Sequence, residues 1–441
     1  MKYNMNRSKK NTLVTTTLVV IVFMFCQSIR AQKSFVSVKN HQFILNDKPY
    51  YYIGANYWYG GLLALIDDPK KGKERLQREL NFLHAKGVNN LRIMAGVEGT
   101  GLINGVKRVS PSLQPEQGKF NDSLLTGLDY LLSEMGKRNM KAVIFLSNNW
   151  EWSGGFLQYL NWNGKLADSV MRRKLSWDEN RDIVQQFYTC EPCKTAYSEQ
   201  LKFIVSRTNT ITGKKYRNDA AIMAWELANE PRPMRPEAIP AYTEWIDNAS
   251  TLIKSIDPNH LVTTGSEGVM GSENMQTFEA VHAVKNIDYL TIHIWPKNWS
   301  WFKDTAIAAG FNTVLNNTFA YIDKHVEVAK RLKKPLVIEE FGLPRDKHSF
   351  LNKSSTTLRD NYYRHMFTRW NESYLHNGII GGCNFWGFGG FGRAANNSNH
   401  VWSEGDDYTS DPPMEEQGLN SVFDNDESTW KVIASFTNKI K

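Results

Sequence analysis

The stretch at residues 221–231, AIMAWELANEP, decides the fold, and it begins with a short apolar run. The run at residues 222–225 suits a strand that is buried on both faces. A proline has no N–H for a sheet ladder and disfavours helix in the residue before it, so Pro231 predicts that the strand ends at Glu230. In a parallel α/β barrel the carboxyl ends of the strands form the active site. A single glutamate there can also cap a loop, so other residues of the chain are needed to distinguish a catalytic from a structural glutamate.

Apolar runs of strand length alternate with amphipathic segments along the chain. Besides the strand just described, strands are predicted at residues 50–56, 90–95, 141–147, 261–264, 287–293, 335–340 and 379–386. Helices are predicted at residues 68–86, 123–138, 236–256, 318–331, 357–374 and 426–437, and residues 180–208 are predicted to be largely helical. Because no linker, repeat or low-complexity segment interrupts these units, they predict an α/β fold, a single (β/α)8 TIM barrel.

The two ends of the barrel sequence carry additional segments. Residues 35–49 predict a small N-terminal hairpin that turns at Lys39 and Asn40 and either plugs the bottom of the barrel or precedes it. Residues 393–413 are rich in Asn, Ser, Gly and Asp, and this composition predicts a long loop after the eighth strand.

Residues 1–31 have the pattern of a secretory signal peptide, with a basic start, an apolar stretch at residues 13–25 and a cleavage site at Ala31. The apolar stretch is short for a membrane span. Cys26 raises the alternative of a lipid anchor, although the bulky Phe25 stands where lipoprotein signals have a small residue. We therefore expect cleavage near Ala31 and a secreted, periplasmic or cell-surface protein.

The charge of the chain depends on this segment. Of the 53 Lys and Arg residues five fall in residues 1–31, which hold no Asp or Glu, leaving 48 basic against 45 acidic residues. No Lys/Arg cluster is interleaved with aromatic residues, which argues against nucleic acid as a partner.

Three cysteines remain after residue 31. Cys190 and Cys193 form a C-x-x-C pair, but a zinc site would need two further ligands at matching spacing, and a thioredoxin motif would need a short βαβ context. In an exported protein a local disulfide is the preferred interpretation. We expect Cys383 to be a buried free thiol.

The seventh strand repeats the arrangement of the fourth, because its apolar run closes on Glu339 and Glu340. With a two-residue period only one of the two can point into the barrel, and the pattern favours Glu340, which is nearer the turn at Gly342. Glu230 and Glu340 would then face each other across the barrel. Glycosidases use such a pair: one carboxyl protonates the leaving oxygen and the other attacks the anomeric carbon or activates water. A separation of about 5–5.5 Å gives retention of configuration, and a wider gap gives inversion.

Other strand ends supply fitting partners for this pair. Arg92 can keep a nucleophilic carboxylate ionised through a charge-assisted hydrogen bond. Asn229 can bind a sugar 2-hydroxyl, His293 can orient the site, and Trp386 offers a flat face for a pyranose ring. Further candidates for substrate contacts are Asn149, Trp150 and Trp58. Each residue alone also fits a structural role, such as an ion pair or core packing, but together they favour an active site.

At this point the sequence resembles a known family. The NEP triplet at 229–231 and EFG at 340–342, together with Arg92, His293 and Trp386, are similar to glycoside hydrolase family 5, a retaining (β/α)8 family. Longer stretches resemble the endo-β-1,4-mannanases of that family: WELANEPRP at 225–233, HIWPKNWSWF at 293–302, EEFGLPRDKHSF at 339–350 and GDDYTSDPP at 405–413. The resemblance covers essentially all of residues 32–441, which we therefore expect to form the catalytic domain.

The resemblance implies that Glu230 is the acid/base and Glu340 the nucleophile. It also implies that Arg92, Asn229, His293 and Trp386 form the −1 subsite. Many relatives have a tyrosine near the nucleophile where this chain has Trp295, but the mannanases of this type share the HIWP motif. We therefore include Trp295 among the substrate-binding candidates.

The implied mechanism is a double displacement through a glycosyl-enzyme. We expect Arg92 to lower the pKa of Glu340, and the charge of Glu340 to raise the pKa of Glu230. The reaction requires no metal and no cofactor. The expected partner is a β-mannan polysaccharide or manno-oligosaccharide, with no nucleic acid and no protein partner evident, and we expect the chain to be a monomer.

Three alternatives stay open at the level of sequence. The first is a β-1,4-glucanase or mixed glucomannanase. The second is an exo-acting β-mannosidase, which would result if the segments at 150–180 and 393–413 block one end of the cleft. The third, from another class, is a non-catalytic mannan-binding surface protein, which would be expected to lack one of the two glutamates.

Overall fold

The computed structural model describes residues 35–65, 68–394 and 401–440. The predicted signal peptide, with Cys26 and the cleavage site at Ala31, lies outside the described residues, and so do residues 395–400 of the predicted loop. In the described ranges, no helix combines the length and the apolar character that crossing a bilayer would require.

Eight parallel strands form the centre of the fold. They are β1 (Tyr52–Asn56), β2 (Asn90–Met94), β3 (Lys141–Phe145), β4 (Ile222–Glu226), β5 (Leu261–Thr263), β6 (Leu290–Ile294), β7 (Leu336–Phe341) and β8 (Ile380–Phe385). Their order in the sheet is β5-β4-β3-β2-β1-β8-β7-β6, and every residue in them is buried. β5 and β6 stand at the two ends of this order. Between them, the Asp288 amide donates to the Val262 carbonyl at 2.8 Å, and the Val262 amide donates to the Asp288 carboxylate at 2.7 Å. These bonds join β5 to β6, so the sheet is a nearly closed barrel, and the predicted fold class is confirmed.

In the part of the chain that the structure describes, eight main helices surround the strands. They are α1 (Pro69–Ala85), α2 (Asp122–Lys137), α3 (Glu191–Val205), α4 (Ile239–Ile256), α5 (Met275–Ala283), α6 (Ile307–Leu332), α7 (Thr357–Leu375) and α8 (Glu427–Thr437). The nine-residue α5 was not predicted. The helix predicted at 318–331 begins earlier, at Ile307, because Ile307, Phe311 and Val314 continue its buried face at helical spacing.

Short elements lie in the loops between these strands and helices. The short helices are Gly60–Leu63, Gly155–Trp162, Asp168–Arg172 and Trp177–Val184, and the 3₁₀ turns are Glu151–Ser153, Gln185–Thr189, Tyr216–Asn218, Pro236–Ala238, Val269–Gly271, Asp304–Ala306, Asp346–His348 and Asn438–Ile440. The paired short strands are Leu102–Ile103 with Val106–Lys107, and Phe388–Gly390 with Val422–Phe423. A disulfide joins Cys190 to Cys193 beside the start of α3, and Cys383 is a buried free thiol, so both cysteine predictions are confirmed.

The N-terminal segment closes the bottom of the barrel. It contains three short antiparallel strands, Ser37–Lys39, Gln42–Leu45 and Lys48–Pro49, and its first turn lies at Asn40 and His41, one residue later than predicted. Phe43 is 1% exposed and packs against Tyr289, with ring centroids 5.2 Å apart. A Cβ at Gly381 would lie 2.6 Å from the Phe43 ring, so the glycine makes room for this plug.

Strand β4 ends at Glu226, and the prediction that it continues to Glu230 was wrong. The chain leaves the regular ladder at residues 227–228, and a single bridge then pairs Asn148 with Asn229. Glu230 has a φ of +51°, in the left-handed region that a non-glycine residue rarely adopts. The carboxylate at the end of the strand is therefore Glu226, and Glu230 projects from an irregular segment above it.

The prediction that only one of the paired glutamates points into the barrel was also wrong. Along the β6–β7 ladder Ile292 pairs with Ile338, but the next residue, His293, pairs with Glu340. This register shift leaves Glu339 without a partner residue and breaks the two-residue alternation. Both carboxylates therefore face the interior, where Arg92 lies within 4 Å of each.

We expect Phe43→Ala to lower the free energy of unfolding by about 3–5 kcal/mol, because it removes an aromatic side chain from a buried position and leaves a cavity. Chemical denaturation would measure the change. The matched control is Leu351→Ala, since Leu351 is 71% exposed, and its effect should stay within about 0.5 kcal/mol. Equal effects of the two substitutions would contradict the plug role.

Candidate active site

A cleft of about 480 Å³ opens where the strands end at their carboxyl side. Six tryptophans line it: Trp150, Trp152, Trp177, Trp295, Trp299 and Trp386. Four carboxylates also line it: Glu230, Glu267, Glu340 and Glu415. Flat apolar rings next to carboxylates suit a ligand with apolar faces and polar edges, which is the character of a sugar ring.

Arg92 lies beneath this cleft, at the centre of β2, and is fully buried. Its guanidinium binds Glu226 through two nitrogens, with Nε donating at 2.9 Å and Nη2 at 2.5 Å. Nη1 donates to Glu340, and Nη2 also donates to the Asn229 side-chain oxygen at 2.7 Å. The guanidinium therefore fixes side chains from β4 and β7 and from the segment after β4 relative to one another.

Glu230 is 7% exposed and receives contacts from two sides. His293 Nδ1 lies 2.6 Å from its Oε1, and the indole Nε1 of Trp150 donates to its Oε2. Arg232 lies nearby, paired with Glu267 at 2.7 Å and positioned over the Trp150 ring at 4.9 Å. The carboxyl group is thus held firmly at the wall of the cleft.

Glu340 lies opposite Glu230 and is 3% exposed. Arg92 donates to its Oε1, and the indole Nε1 of Trp295 donates to its Oε2 at 3.0 Å. Oxygen atoms of Glu230 and Glu340 lie within 4.8 Å of each other. This narrow gap matches the separation of about 5–5.5 Å between the carboxyl groups of retaining glycosidases.

Burial raises the pKa of both carboxyl groups and is the largest cause at each. Arg92 does lower the pKa of Glu340, as expected, but burial raises this pKa by more than Arg92 lowers it. The pKa of Glu340 is therefore raised, and the prediction of a lowered pKa was wrong in direction. At Glu230, too, burial is the main cause, instead of the charge of Glu340. Because Glu340 receives the guanidinium directly, we infer that it ionises first, while Glu230 keeps the proton that the pair shares.

The structure places six of the predicted site residues on the walls of the cleft: Glu230, Glu340, Asn229, Trp150, Trp295 and Trp386. Arg92 and His293 lie behind the wall, where they contact the two carboxylates. Trp58 is buried farther back, donating its indole N–H to the Ser410 carbonyl at 2.9 Å and packing on Trp152. Asn149 is not on the wall of the cleft, and its neighbour Asn148 binds the Asn229 side chain at 3.1 Å instead.

Sequence reasoning missed several charged and aromatic residues of the site. Glu226 was overlooked because the strand was expected to continue past it, although a glutamate that follows an apolar run was a usable signal. Glu339 was assigned to the outside of the barrel by the two-residue period. Three further residues lie in loops over the cleft, namely Arg232, Glu267 and Trp177. Local sequence patterns do not predict the path of these loops.

Glu230, His293 and Glu340 also place ligand-type atoms within 4.8 Å of one another, close enough by distance to hold a cation. The donors are already engaged, however. His293 contacts Glu230, and Arg92 and Trp295 bind Glu340, so the three residues fit proton transfer and nucleophilic chemistry better than metal binding.

Comparisons with known proteins agree with this geometry. The profile described as GH family 5 beta-mannosidase-like matches residues 33–441. The chain is 30% identical over 393 residues to mannan endo-1,4-beta-mannosidase 1 of Oryza sativa subsp. japonica, covering 85% of this chain and 83% of that protein. The crystal structure of a glycoside hydrolase family 5 mannosidase from Rhizomucor miehei is similar with a TM-score of 0.82 at 32% identity, covering 92% of this chain and 97% of the other. An endo-β-1,4-mannanase from Thermotoga petrophila shares the fold, with a TM-score of 0.63 at 24% identity over 89% and 77% of the two chains.

We expect Trp150→Phe to raise the pKa of Glu230 by about half a unit to one unit, because the lost indole N–H stabilises the ionised carboxylate. A ¹³C NMR titration of the labelled glutamate carboxyl carbons would measure it, with the Glu230 signal assigned by its absence in Glu230→Gln. Trp177→Phe is the matched control, since Trp177 stacks on Trp150 without bonding Glu230. An unchanged or lowered pKa in Trp150→Phe would contradict the assignment.

Proposed function

The chain belongs to the β-mannosidase-like group of glycoside hydrolase family 5, and from this premise we propose that it hydrolyses internal β-1,4-mannosidic bonds in mannan, glucomannan or galactomannan with retention of configuration. The close approach of Glu230 and Glu340, within 4.8 Å between their nearest oxygens, is the observation that carries the proposal. A gap this narrow favours direct attack by a carboxylate over attack by a water held between the two groups.

In the first step Glu340 attacks the anomeric carbon, and Glu230 donates its proton to the leaving glycosidic oxygen. The C–O bond to the leaving sugar breaks as the bond to the Glu340 carboxylate forms. Arg92 and Trp295 keep the Glu340 oxygens oriented for attack. Burial keeps Glu230 protonated before the step, because the charged form is poorly solvated there.

In the second step Glu230, now ionised, removes a proton from a water molecule that attacks the anomeric carbon. The ester bond to Glu340 breaks, and Glu340 returns to its ionised form. Glu230 then has two N–H neighbours available, the indole of Trp150 and the imidazole of His293, and these stabilise its negative charge between the steps.

The aromatic residues of the cleft wall fit the binding of successive sugar rings. Trp386 and Trp295 lie next to Glu340, with ring centroids 5.7 Å apart, and we assign them to the sugar that becomes attached to the enzyme. Trp150 and Trp177 lie on the Glu230 side, and we assign them to the leaving part of the chain.

An exo-acting β-mannosidase is the second candidate, and one observation favours it. Pro412, Met414 and Glu415, from the loop between β8 and α8, line the cleft. Within this loop Asp411 accepts the Gly418 amide at 2.8 Å and the Asn420 amide at 3.1 Å. A loop that is ordered in this way beside the cleft would restrict the number of sugars bound on its side.

We also propose that the protein is exported and acts as a monomer. The signal-like sequence of residues 1–31 and the Cys190–Cys193 disulfide, which an oxidising compartment favours, support export. N-terminal sequencing of the protein from its native cells should begin near Gln32, whereas a lipid-modified Cys26 at the N-terminus would indicate an anchored protein. Light scattering would test the monomer.

We expect Glu230→Ala and Glu340→Ala each to lower kcat/KM on β-1,4-mannan by on the order of 10³-fold or more. Azide rescue with an aryl β-mannoside that has a good leaving group separates their roles. Azide should give the β-mannosyl azide with Glu230→Ala, by opening the glycosyl-enzyme, and the α-mannosyl azide with Glu340→Ala, by direct displacement. Glu74→Gln, on the exposed face of α1, is the surface control, and near-normal activity of either alanine variant would refute the proposal.

Products from linear β-1,4-mannan and from carboxymethylcellulose would test the substrate and the mode of attack. We expect mixed manno-oligosaccharides from mannan and no cleavage of the cellulose derivative, because the cleft is open at the surface. Mannose as the sole product would establish the exo-acting alternative. Cleavage of carboxymethylcellulose would leave the two glutamates in place but refute the mannan assignment.

A further inference from the structure

His293 is fully buried and contacts three carboxyl groups. Its Nδ1 is 2.6 Å from Oε1 of Glu230 and 3.4 Å from Oε2 of Glu340, and its Nε2 is 3.4 Å from Oε2 of Glu339. The surroundings lower the pKa of His293 well below its usual value, mainly through burial, which favours the neutral ring. A neutral imidazole carries one N–H, so one of its nitrogens donates and the other accepts.

The chemistry of Glu230 distinguishes the two tautomers. If Nδ1 were the acceptor, Glu230 would direct its proton at the histidine, away from the leaving oxygen in the cleft. If Nδ1–H is the donor, His293 and Trp150 each donate to one oxygen of Glu230, and the acid proton occupies a remaining lone pair on the cleft side. The Nδ1–H tautomer is therefore the one that suits a general acid.

In that tautomer Nε2 is an acceptor and needs a donor. Within the described ranges Glu339 is the hydrogen-bonding neighbour of Nε2. The nearest guanidinium nitrogen, Arg92 Nε, already donates to Glu226 at 2.9 Å and lies 3.7 Å from Glu339. A carboxyl group can donate to Nε2 only when it is protonated.

The charges in the barrel interior favour a protonated Glu339. One guanidinium, that of Arg92, faces three carboxyl groups, and its shortest contacts go to Glu226 and Glu340. Glu339 is left as the third and most weakly paired group. Burial, followed by the charge of Glu226, raises the pKa of Glu339 well above its usual value. A hydrogen bond between the Glu339 and Glu226 carboxyl groups raises it further, so Glu226 and Nε2 of His293 are the two acceptors within reach of the Glu339 proton.

The titratable groups around Glu230, His293 and Glu339 are buried, except Arg232, which is partly exposed. They come from every neighbouring element: Tyr52 (β1), Arg92 (β2), Glu226 (β4), Arg232 (after β4), Glu267 (after β5), Tyr289 (before β6), Glu340 (β7) and Cys383 (β8).

We propose that Glu339 is a positioning residue that acts through His293: as a neutral acid it donates a hydrogen bond to Nε2, and so fixes the tautomer whose Nδ1–H donates to Glu230. The inference rests on the proposed role of Glu230 as acid/base. Glu339 itself touches no substrate, since it lies behind the cleft wall, and its effect reaches the reaction only through the imidazole.

The direct test is the tautomer of His293 in the resting protein, by ¹⁵N NMR of histidine-labelled enzyme at neutral pH, with the signal assigned by its loss in His293→Asn. We expect a protonated Nδ1 and an unprotonated Nε2. A protonated Nε2, alone or together with Nδ1, would overturn the proposal. This readout needs no substrate, so it is independent of whether the enzyme cleaves mannan.

Two variants of Glu339 extend the test to catalysis. Glu339→Gln keeps an N–H donor toward Nε2 and should retain the Nδ1–H signal and kcat within about threefold. Glu339→Met has a similar length but no donor, and it should populate the Nε2–H tautomer and lower kcat about tenfold, part of the 10²–10⁴-fold contribution of a general acid. The alkaline limb of its kcat/KM profile should move up by about half a unit, because neutral Glu230 gains Nδ1 as an acceptor.

Tyr289→Phe is the matched control, because it removes a buried hydroxyl near Glu339 without touching His293. It should leave the tautomer and the pH profile unchanged. If Glu339→Met and Glu339→Gln lose activity equally with the Nδ1–H signal intact, Glu339 is a packing residue and the proposal is wrong. If the tautomer switches as expected but the wild type cleaves no β-mannoside, the positioning contact stands and the proposed function fails.

Discussion

The buried guanidinium of Arg92 is the interaction on which the rest of the site depends. A charge removed from water is stable only when it is paired and hydrogen-bonded, and Arg92 achieves this by binding side chains from three separate parts of the chain. Its planar fork donates two bonds to Glu226 while another nitrogen reaches Glu340. A lysine ammonium is a point charge and has no such fork, so it could not fix both groups in one geometry.

This single positive charge also divides the roles of the carboxyl groups around it. Glu226 accepts hydrogen bonds from two of its nitrogens, whereas Glu340 accepts from one and receives the Trp295 indole N–H on its other oxygen, at the wall of the cleft. Glu230 is bound by Trp150 and His293 instead, and burial raises its pKa. Under the proposed mechanism, identical side chains thus take the roles of an anchor for Arg92, a nucleophile and an acid because they differ in their distance from one cation and in their exposure to water.

The sequence was sufficient for the barrel and for the placing of Glu230 and Glu340 at the cleft, but the reasoning failed where the backbone is irregular. Apolar runs predicted all eight strands because the strands of a parallel barrel are buried throughout. Pro231 correctly indicated that the strand could not continue past Glu230. However, β4 ends four residues earlier, because the chain bends at residues 227–228, and the spacing of residues in the sequence does not reveal that bend. The register shift opposite His293 is likewise a property of two strands together, so the period within β7 alone gave the wrong orientation for Glu339. Loop residues such as Arg232 reach the site through tertiary packing, which local patterns do not contain.

The plug formed by Phe43 has a consequence for how the interior exchanges protons. In the described part of the chain, Phe43 and Tyr289 cover the end of the barrel opposite the cleft, so Glu226, Glu339 and His293 lie nearest to solvent on the cleft side, behind Glu230 and Glu340. Under the proposed function, a bound polysaccharide would cover that side as well. Proton exchange between the interior and the solvent would then be slowest while substrate is bound.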